Sequence, residues 1–518
     1  MGGFAAVNDD ILQNILFRLP ALSFASAACV SKSWNNVCDR VLSCPKLVSA
    51  LSLNPSLPHA VNEVLDKVLS GPICPQFAIA SIGLQFSLEA AHQLITEKLG
   101  SRTPVITNTA RGIIGRDAVT NTMREVRWHM IPEEEGSNSQ ESEYFNRGIV
   151  LIVGYLPGLK VDAIPLLRSM REHGVTMIDK FMMDIRNYTA SVSGCIAPAG
   201  IILFGDQHID ITPVLADIDC VMPEETVIVG DASSRFLCRS GHYSQDYDAD
   251  QYFFDAVALV FARNKDKPHG IGETRFHATL STGVMPFGPE LKAISVTAKG
   301  TECSWLTASI DGYHQILDSQ RLLDDISDEM DDDCADLYIG VIQKRPSFIE
   351  PEKLELRTYL AFYEVLGGDE EYLVVDGVGI KPGDTFLFFH SDSDTASSSC
   401  LNAYESLKVL KSASSSRNCY SVRDAAGGGN GGVFGGLIFS CHYRGESYFD
   451  SFPFYSNFPG APLAGMVCNK EIGRDSTGSS MWQLQAEEES PARCSLHVCT
   501  TVYLVLSYVP ASPNLLSN

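Results

Sequence analysis

Apolar residues over the first 45 positions fall on helical spacing. Ile11, Leu12, Ile15, Leu16 and Leu19 stand at i, i+1, i+4, i+5 and i+8, one broad apolar face. Asn8 can cap this helix, Asp9 and Asp10 fall in its first turn, where the dipole favours negative charge, and Pro20 ends it. Ser23 is a candidate cap for a second helix carrying Phe24, Ala27, Ala28 and Val30. Trp34, Val37 and Val41 have the spacing of a third. A segment of under about 40 residues cannot bury a stable core alone. Its leftover apolar surface either packs on the rest of the chain or meets a partner.

Further along, short apolar runs alternate with helical patterns, as in a mixed α/β or α+β fold. FAIASIGL (77–84) reads as a strand. A helix follows, capped by Ser87, with Leu88, Ala91, Ile95 and Leu99 on one face and Gly100 as its stop. GIVLIVGYLPG (148–158) reads as a buried strand, followed by a helix capped by Asp162 and stopped by Gly174. PVITNT, VTMIDKF, GIILFG (200–205), DAVALVFA (255–262) and KAISVTAKG (292–300) read as further strands. A second block from about Cys303 opens with a helix around Tyr313–Leu323, then an acidic stretch (324–336) and a helix-rich connection. Strands are expected at 371–375 and 384–390, a helix near Leu401–Leu410, and strands within 434–445, 458–473 and 496–509. The acidic run 132–143 and the Ser/Gly-rich run 412–432 read as loops.

The amino-terminal pattern closely resembles an F-box, the module that docks receptor proteins onto the Skp-type adaptor of SCF ubiquitin ligases. Ile11, Leu12, Ile15, Leu16, Leu19, Pro20, Val30 and Trp34 stand where the family pattern has them, and Val7-Asn8 replaces the usual Leu-Pro. The resemblance spans about residues 5–45 and implies those ten residues as the adaptor-binding set. It implies the adaptor as partner and, through it, a cullin and a ubiquitin-conjugating enzyme.

The remainder resembles the FIST (F-box and intracellular signal transduction) domains, an amino-terminal type over 60–300 and a carboxy-terminal type over 301–510. IVGYLPG carries the first; GLIFSCHYRG, PLAGMVCNKEIG and LHVCTTVYLVL carry the second. The fold expected is thus a short three-helix unit and two mixed sheet-and-helix domains. Cys441, Arg444, Gly445, Gly465 and Glu471 occupy the motif positions of the second type. Arg and Glu beside glycines can clasp both ends of a small ligand or a target's peptide terminus; they can equally form a structural ion pair. The resemblance implies a receptor that captures a target protein for ubiquitination and degradation. The alternative is an intracellular sensor of an amino-acid-like metabolite.

Charge narrows the partners. Sixty-three acidic residues against 39 basic give a net charge of −24, which repels phosphate backbones, so nucleic acid is not expected. No apolar run reaches the roughly 18 residues that span a bilayer, and no leader-type amino terminus is evident, so the expected location is cytoplasm or nucleus without a membrane partner.

Enzyme signatures are poor: neither a G-x-S-x-G elbow nor a Walker A run occurs. Gly427, Gly429 and Gly432 fit G-x-G-x-x-G only inside the Ser/Gly-rich loop, where no strand precedes them. His497 and Cys499 lack a fourth ligand beside Cys494, and the acidic stretch 324–336 lacks a calcium-loop pattern. Cys441 and His442, adjacent on a strand, point to opposite faces. The expectation is therefore a non-catalytic subunit without cofactor or metal. LVSALSLN (47–54) is one leucine-rich strand without a following repeat, so no leucine-rich solenoid is expected.

Overall fold

A computed structural model describes residues 8–128, 146–169, 174–241, 252–300, 303–310, 316–329, 336–350, 353–416, 432–444, 449–474 and 493–511. The acidic run 132–143, most of 412–432, Val7 and Gly445 lie outside them.

Three helices open the chain: α1 (Asp9–Leu16), α2 (Ala21–Ala28) and α3 (Lys32–Val41). Asn8 caps α1 by accepting from the Asp10 N–H. Ser31, not singled out by the pattern, caps α3 by accepting from the Trp34 N–H. Ser23 caps nothing: Pro20 stands at the α2 N-cap and Ser23 lies inside the helix. Proline tolerates this position because a helix start has no use for its missing N–H.

Among the described residues the rest forms three sheets and a closed barrel. The first sheet orders Lys46–Ser52, Ile149–Tyr155, Phe77–Gly83, Val105–Ala110 and Phe236–Arg239. The second orders Cys494–His497, Glu471–Arg474, Val227–Ser234, Gly200–Asp206, Tyr252–Arg263 and Leu159–Ser169. The third orders Glu273–Thr282, Thr500–Val509, Gly432–Cys441, Leu463–Cys468, Gly112–Arg116 and Met123–Arg127. Each sheet contains one parallel pair, formed across a helix: Leu88–Leu99, Thr212–Val221 and Phe452–Asn457 respectively. Inner faces of all three share one core, which includes Phe77 and Ile152, Phe204 and Val257, and Leu437 and Leu504. Helices cover the outer faces.

Several expectations hold in detail. Helix Leu88–Leu99 buries Leu88, Ala91, Ile95 and Leu99, Ser87 accepts from the Ala90 N–H, and Gly100 ends it at φ +76°. The runs at 77–84, 148–158, 200–205, 255–262, 371–375 and 384–390 contain strands as read.

Others are corrected. Leu159–Ser169 is a strand, not a helix capped by Asp162, and Gly174 begins the helix Gly174–Ser193 rather than stopping one. Leu159, Val161 and Ala163 face the central core while Ile164 and Leu166 face the core beneath the helices. A strand buried on both sides reads as one apolar run, which periodicity cannot separate from a helix. VTMIDKF lies in that helix, where Met177, Phe181, Met182 and Ile185 pack together at helical spacing. The helix expected at Tyr313–Leu323 is Ser319–Glu329.

The expected helix-rich connection is two long antiparallel strands, Leu337–Glu350 and Lys353–Gly368. They close a six-stranded barrel with Val284–Lys299, Cys303–Ile310, Leu373–Asp376 and Thr385–Ser391. The division expected at 300/301 falls inside this barrel, between its paired strands Val284–Lys299 and Cys303–Ile310. Strands after residue 430 complete the second and third sheets, so strand pairing crosses that division. Among the described residues there is no leucine-rich solenoid; Lys46–Ser52 is an edge strand of the first sheet.

Candidate functional site

The amino-terminal helices have a core of their own. Leu12, Leu16, Phe24, Ala27, Val37, Cys38 and Val41 form a cluster that contains no residue of the sheets, with Leu19 and Trp34 partly buried against it. The Arg40 Nη2 lies 2.6 Å from the Asp9 Oδ2, tying α3 to the start of α1. The unit is joined to the body at Ala21: its N–H donates to the Leu69 carbonyl at 3.0 Å, and it packs in the core beneath the first sheet. Lys46 donates to the Pro72 carbonyl at 2.7 Å and holds its ammonium 5.0 Å from the Phe17 ring centroid.

The broad apolar face read from spacing divides in two. Leu12 and Leu16 turn inward, whereas Ile11 is 56% exposed and Ile15 50%. Val30 (63%) is exposed too, as are Phe17 (58%) and Leu22 (79%), which the pattern did not single out. Asn8 and Pro20 are exposed. Five large apolar groups thus stand in water between Ile11 and Val30; exposed apolar groups that gather into one patch mark protein interfaces.

The second predicted set does not assemble as expected. Cys441 ends the strand Gly432–Cys441 and is fully buried. Gly465 lies on the neighbouring parallel strand, paired with Ile438. An added Cβ there would overlap the Ile438 carbonyl oxygen. Gly465→Ala is therefore expected to force the two strands apart, at the upper end of the about 1–3 kcal/mol typical of overpacking, read as a fall in the urea midpoint. That glycine serves strand packing.

Glu471 is wholly buried, and the Cys468 thiol donates to its Oε1 at 3.5 Å. Oε2 makes no hydrogen bond among the described residues. Burial holds the Glu471 carboxyl well above the usual range, the nearby Cys441 adds to this, and the Cys468 thiol works against it. A raised folded-state value means the native protein keeps a proton that the unfolded chain releases. The resulting stability is complete below the ordinary glutamate value of about 4.3 and falls as pH rises above it, by about 1.4 kcal/mol per unit. Glu471→Gln, neutral and of the same shape, is expected to remove that slope. Urea midpoints of both proteins across pH check it; parallel curves would refute the assignment.

Arg444 does not pair with Glu471. Its guanidinium, 1% exposed, lies 3.6 Å (Nε) from the Asp450 Oδ1 and donates to the Ser281 carbonyl, the Ser281 Oγ at 2.9 Å and the Ala396 carbonyl at 3.2 Å. Asp450 also binds the Arg127 Nη2 and accepts from the Ser440 hydroxyl. The Glu125 carboxylate accepts from the Asp450 and Ser451 N–H groups at 3.1 and 2.8 Å. Sequence reading missed Asp450, Arg127 and Glu125. Spacing could not supply them, because Arg127 and Asp450 stand 323 positions apart.

The comparisons agree with the helical unit. The F-box domain family model matches residues 7–46. An Arabidopsis thaliana protein named as an F-box/LRR-repeat protein is 39% identical over 519 residues, covering 97% of this chain and 93% of the relative. The chain belongs to the F-box proteins. F-box domains typically bind Skp-type adaptors within SCF complexes, and F-box proteins are typically non-catalytic adaptors. The repeat in the relative's name has no counterpart in the architecture of this F-box protein, whose described residues form sheets and a barrel. Its helices include none long and apolar enough to cross a membrane, among the described residues.

Proposed function

We propose that this F-box protein is the substrate-recognition subunit of an SCF-type ubiquitin ligase. The exposed set Ile11, Ile15, Phe17, Leu22 and Val30, on a three-helix unit that already has a closed core, supports this reading most directly. An adaptor that covers these partly exposed side chains takes their remaining apolar area out of water, roughly 1–2 kcal/mol each before the costs of association. In this reading Asn8, Leu19, Pro20 and Trp34 flank the contact, Leu12 and Leu16 hold the helices in shape, and Val7 belongs to the adaptor-binding set by the resemblance alone.

The body, residues 60–510, captures the target protein. We read it as FIST-type on the strength of the GLIFSCHYRG, PLAGMVCNKEIG and LHVCTTVYLVL runs. The receptor holds target lysines near a ubiquitin-conjugating enzyme carried by the cullin, in cytoplasm or nucleus. It contributes effective concentration rather than bond chemistry, and degradation by the proteasome follows.

Co-purification with a Skp-type adaptor tests the proposal. Wild type is expected to bind, and Ile11→Asp/Ile15→Asp is not. A test on Leu16 would mislead, because Leu16 is wholly buried and an aspartate there would unfold the helices instead of altering their surface.

A further inference from the structure

A cleft of about 310 Å³ opens where the second sheet meets the barrel. One wall is Gln207–Thr212, the segment that leaves the parallel strand Gly200–Asp206 and enters the helix Thr212–Val221. The other wall is barrel, Ala361–Tyr363 and Asp376–Val378. Space beyond the carboxyl ends of parallel strands is where α/β sheets commonly hold ligands.

The charges in this cleft are unequal in number and in freedom. Asp210, Asp255 and Asp376 face Arg168 and Lys470. The Arg168 Nε lies 3.0 Å from the Asp255 Oδ1, yet the arginine side chain is 51% exposed and the aspartate 9%. The guanidinium also lies 5.4 Å from the ring of exposed Phe253, outside the lining of the cleft. Lys470 and Asp376, 3.2 Å apart, are both about two-fifths exposed. The negative charge of Asp255 is therefore fixed by packing. The arginine can swing into water for the small cost of a surface ion pair. Burial pushes the Asp255 carboxyl up and Arg168 draws it down, so the carboxylate gains from any cation held against it. On the barrel side, the Asp210 Oδ2 and the Tyr363 hydroxyl converge on Gly379, each 3.2 Å from where a Cβ would stand. Phe362 and Tyr363 belong to the same wall. A net charge of −24 raises the local concentration of cations at every such opening.

We infer that this cleft binds an organic ammonium or guanidinium group, which takes the place of the Arg168 guanidinium on Asp255. The group can belong to a free small amine or to a basic side chain of a captured protein. The site does not depend on adaptor docking, and the two are read separately.

The test is titration calorimetry on the full chain with 1,4-diaminobutane, with 1,4-butanediol and succinate as controls. The diamine is expected to bind and the controls are not. Arg168→Gln, at a half-exposed position, is expected to tighten diamine binding about threefold or more, since the internal competitor is gone. Asp255→Asn, checked for native circular dichroism, is expected to weaken it about tenfold. Absence of diamine binding to both wild type and Arg168→Gln, without binding of a lysine peptide, overturns the inference. So does weaker binding to Arg168→Gln, which would mark an anion site. A lysine peptide and its acetylated form separate the sources: peptide binding without diamine binding supports a protein side chain, and binding of both supports a general ammonium site. Adaptor pull-down on the same samples keeps failure of the receptor reading distinct, because a chain that never binds adaptor can still bind diamine.

Discussion

Asp450→Asn is expected to lower the unfolding free energy of the body by about 3–5 kcal/mol, the usual cost of breaking a buried ion pair by removing one partner. Asp450 is 1% exposed and receives two guanidinium groups, Arg127 at 11% and Arg444 at 1% exposure. Asparagine keeps the shape and can still accept a hydrogen bond, but it removes the negative charge between two cations. Arg127 retains the Cys441 and His442 carbonyls at 2.5 and 3.1 Å, and Arg444 retains Ser281 and Ala396. Dipoles of this kind compensate part of a buried charge, and Glu125 supplies some of the rest. The remainder is the predicted loss.

The bonds concerned join the strand Met123–Arg127, the end of Gly432–Cys441 and the start of Phe452–Asn457. Guanidinium unfolding followed by circular dichroism measures the effect. A change below about 1 kcal/mol would mean that the surrounding dipoles suffice. Adaptor binding is expected to survive the substitution at temperatures below the new midpoint, because the amino-terminal cluster contains no residue of this network.

Ile11→Asp/Ile15→Asp is expected to weaken adaptor binding at least about 100-fold while leaving the stability of the helices nearly unchanged. Both residues are half in water, so charge is tolerated in the free protein. About half of each side chain is left to bury, so in the complex each aspartate forfeits roughly 0.8–1.5 kcal/mol of apolar burial and adds the cost of desolvating a carboxylate. At 1.4 kcal/mol per factor of ten, the burial loss of the pair gives about one to two orders of magnitude, and desolvation of the two carboxylates supplies the rest. Calorimetric titration with the adaptor and helix content by circular dichroism are the two readings. Undiminished binding by a folded variant would place the docking face elsewhere.

The amino-terminal unit was legible because its information is local. Helix spacing, the Asn8 cap and the acidic first turn all act within a few residues, and the described helices follow them. What spacing could not resolve was which half of an apolar stripe faces inward. Ile11 and Leu12 are neighbours of similar hydrophobicity, and only the position of α3 decides that Leu12 is covered. The same limit explains Leu159–Ser169, where burial on both faces erased the alternation that identifies a strand. It also explains Arg444, expected opposite Glu471 because both lie in motif runs near one another. Its partner came from a segment that carries no signal of its own.

By itself the sequence determined the elements whose causes are local: the helices capped by Asn8 and Ser87, the strands at 77–84, 200–205 and 255–262, and the acidic character of the chain. Tertiary structure alone decided that strands after residue 430 complete sheets begun before residue 130, that a barrel spans the expected domain boundary, and that Asp450 holds two arginines. The physical reason is the range of the forces involved. Backbone propensity and capping act over one turn, whereas burial and ion pairing depend on distance in space, and chain separation does not encode that distance.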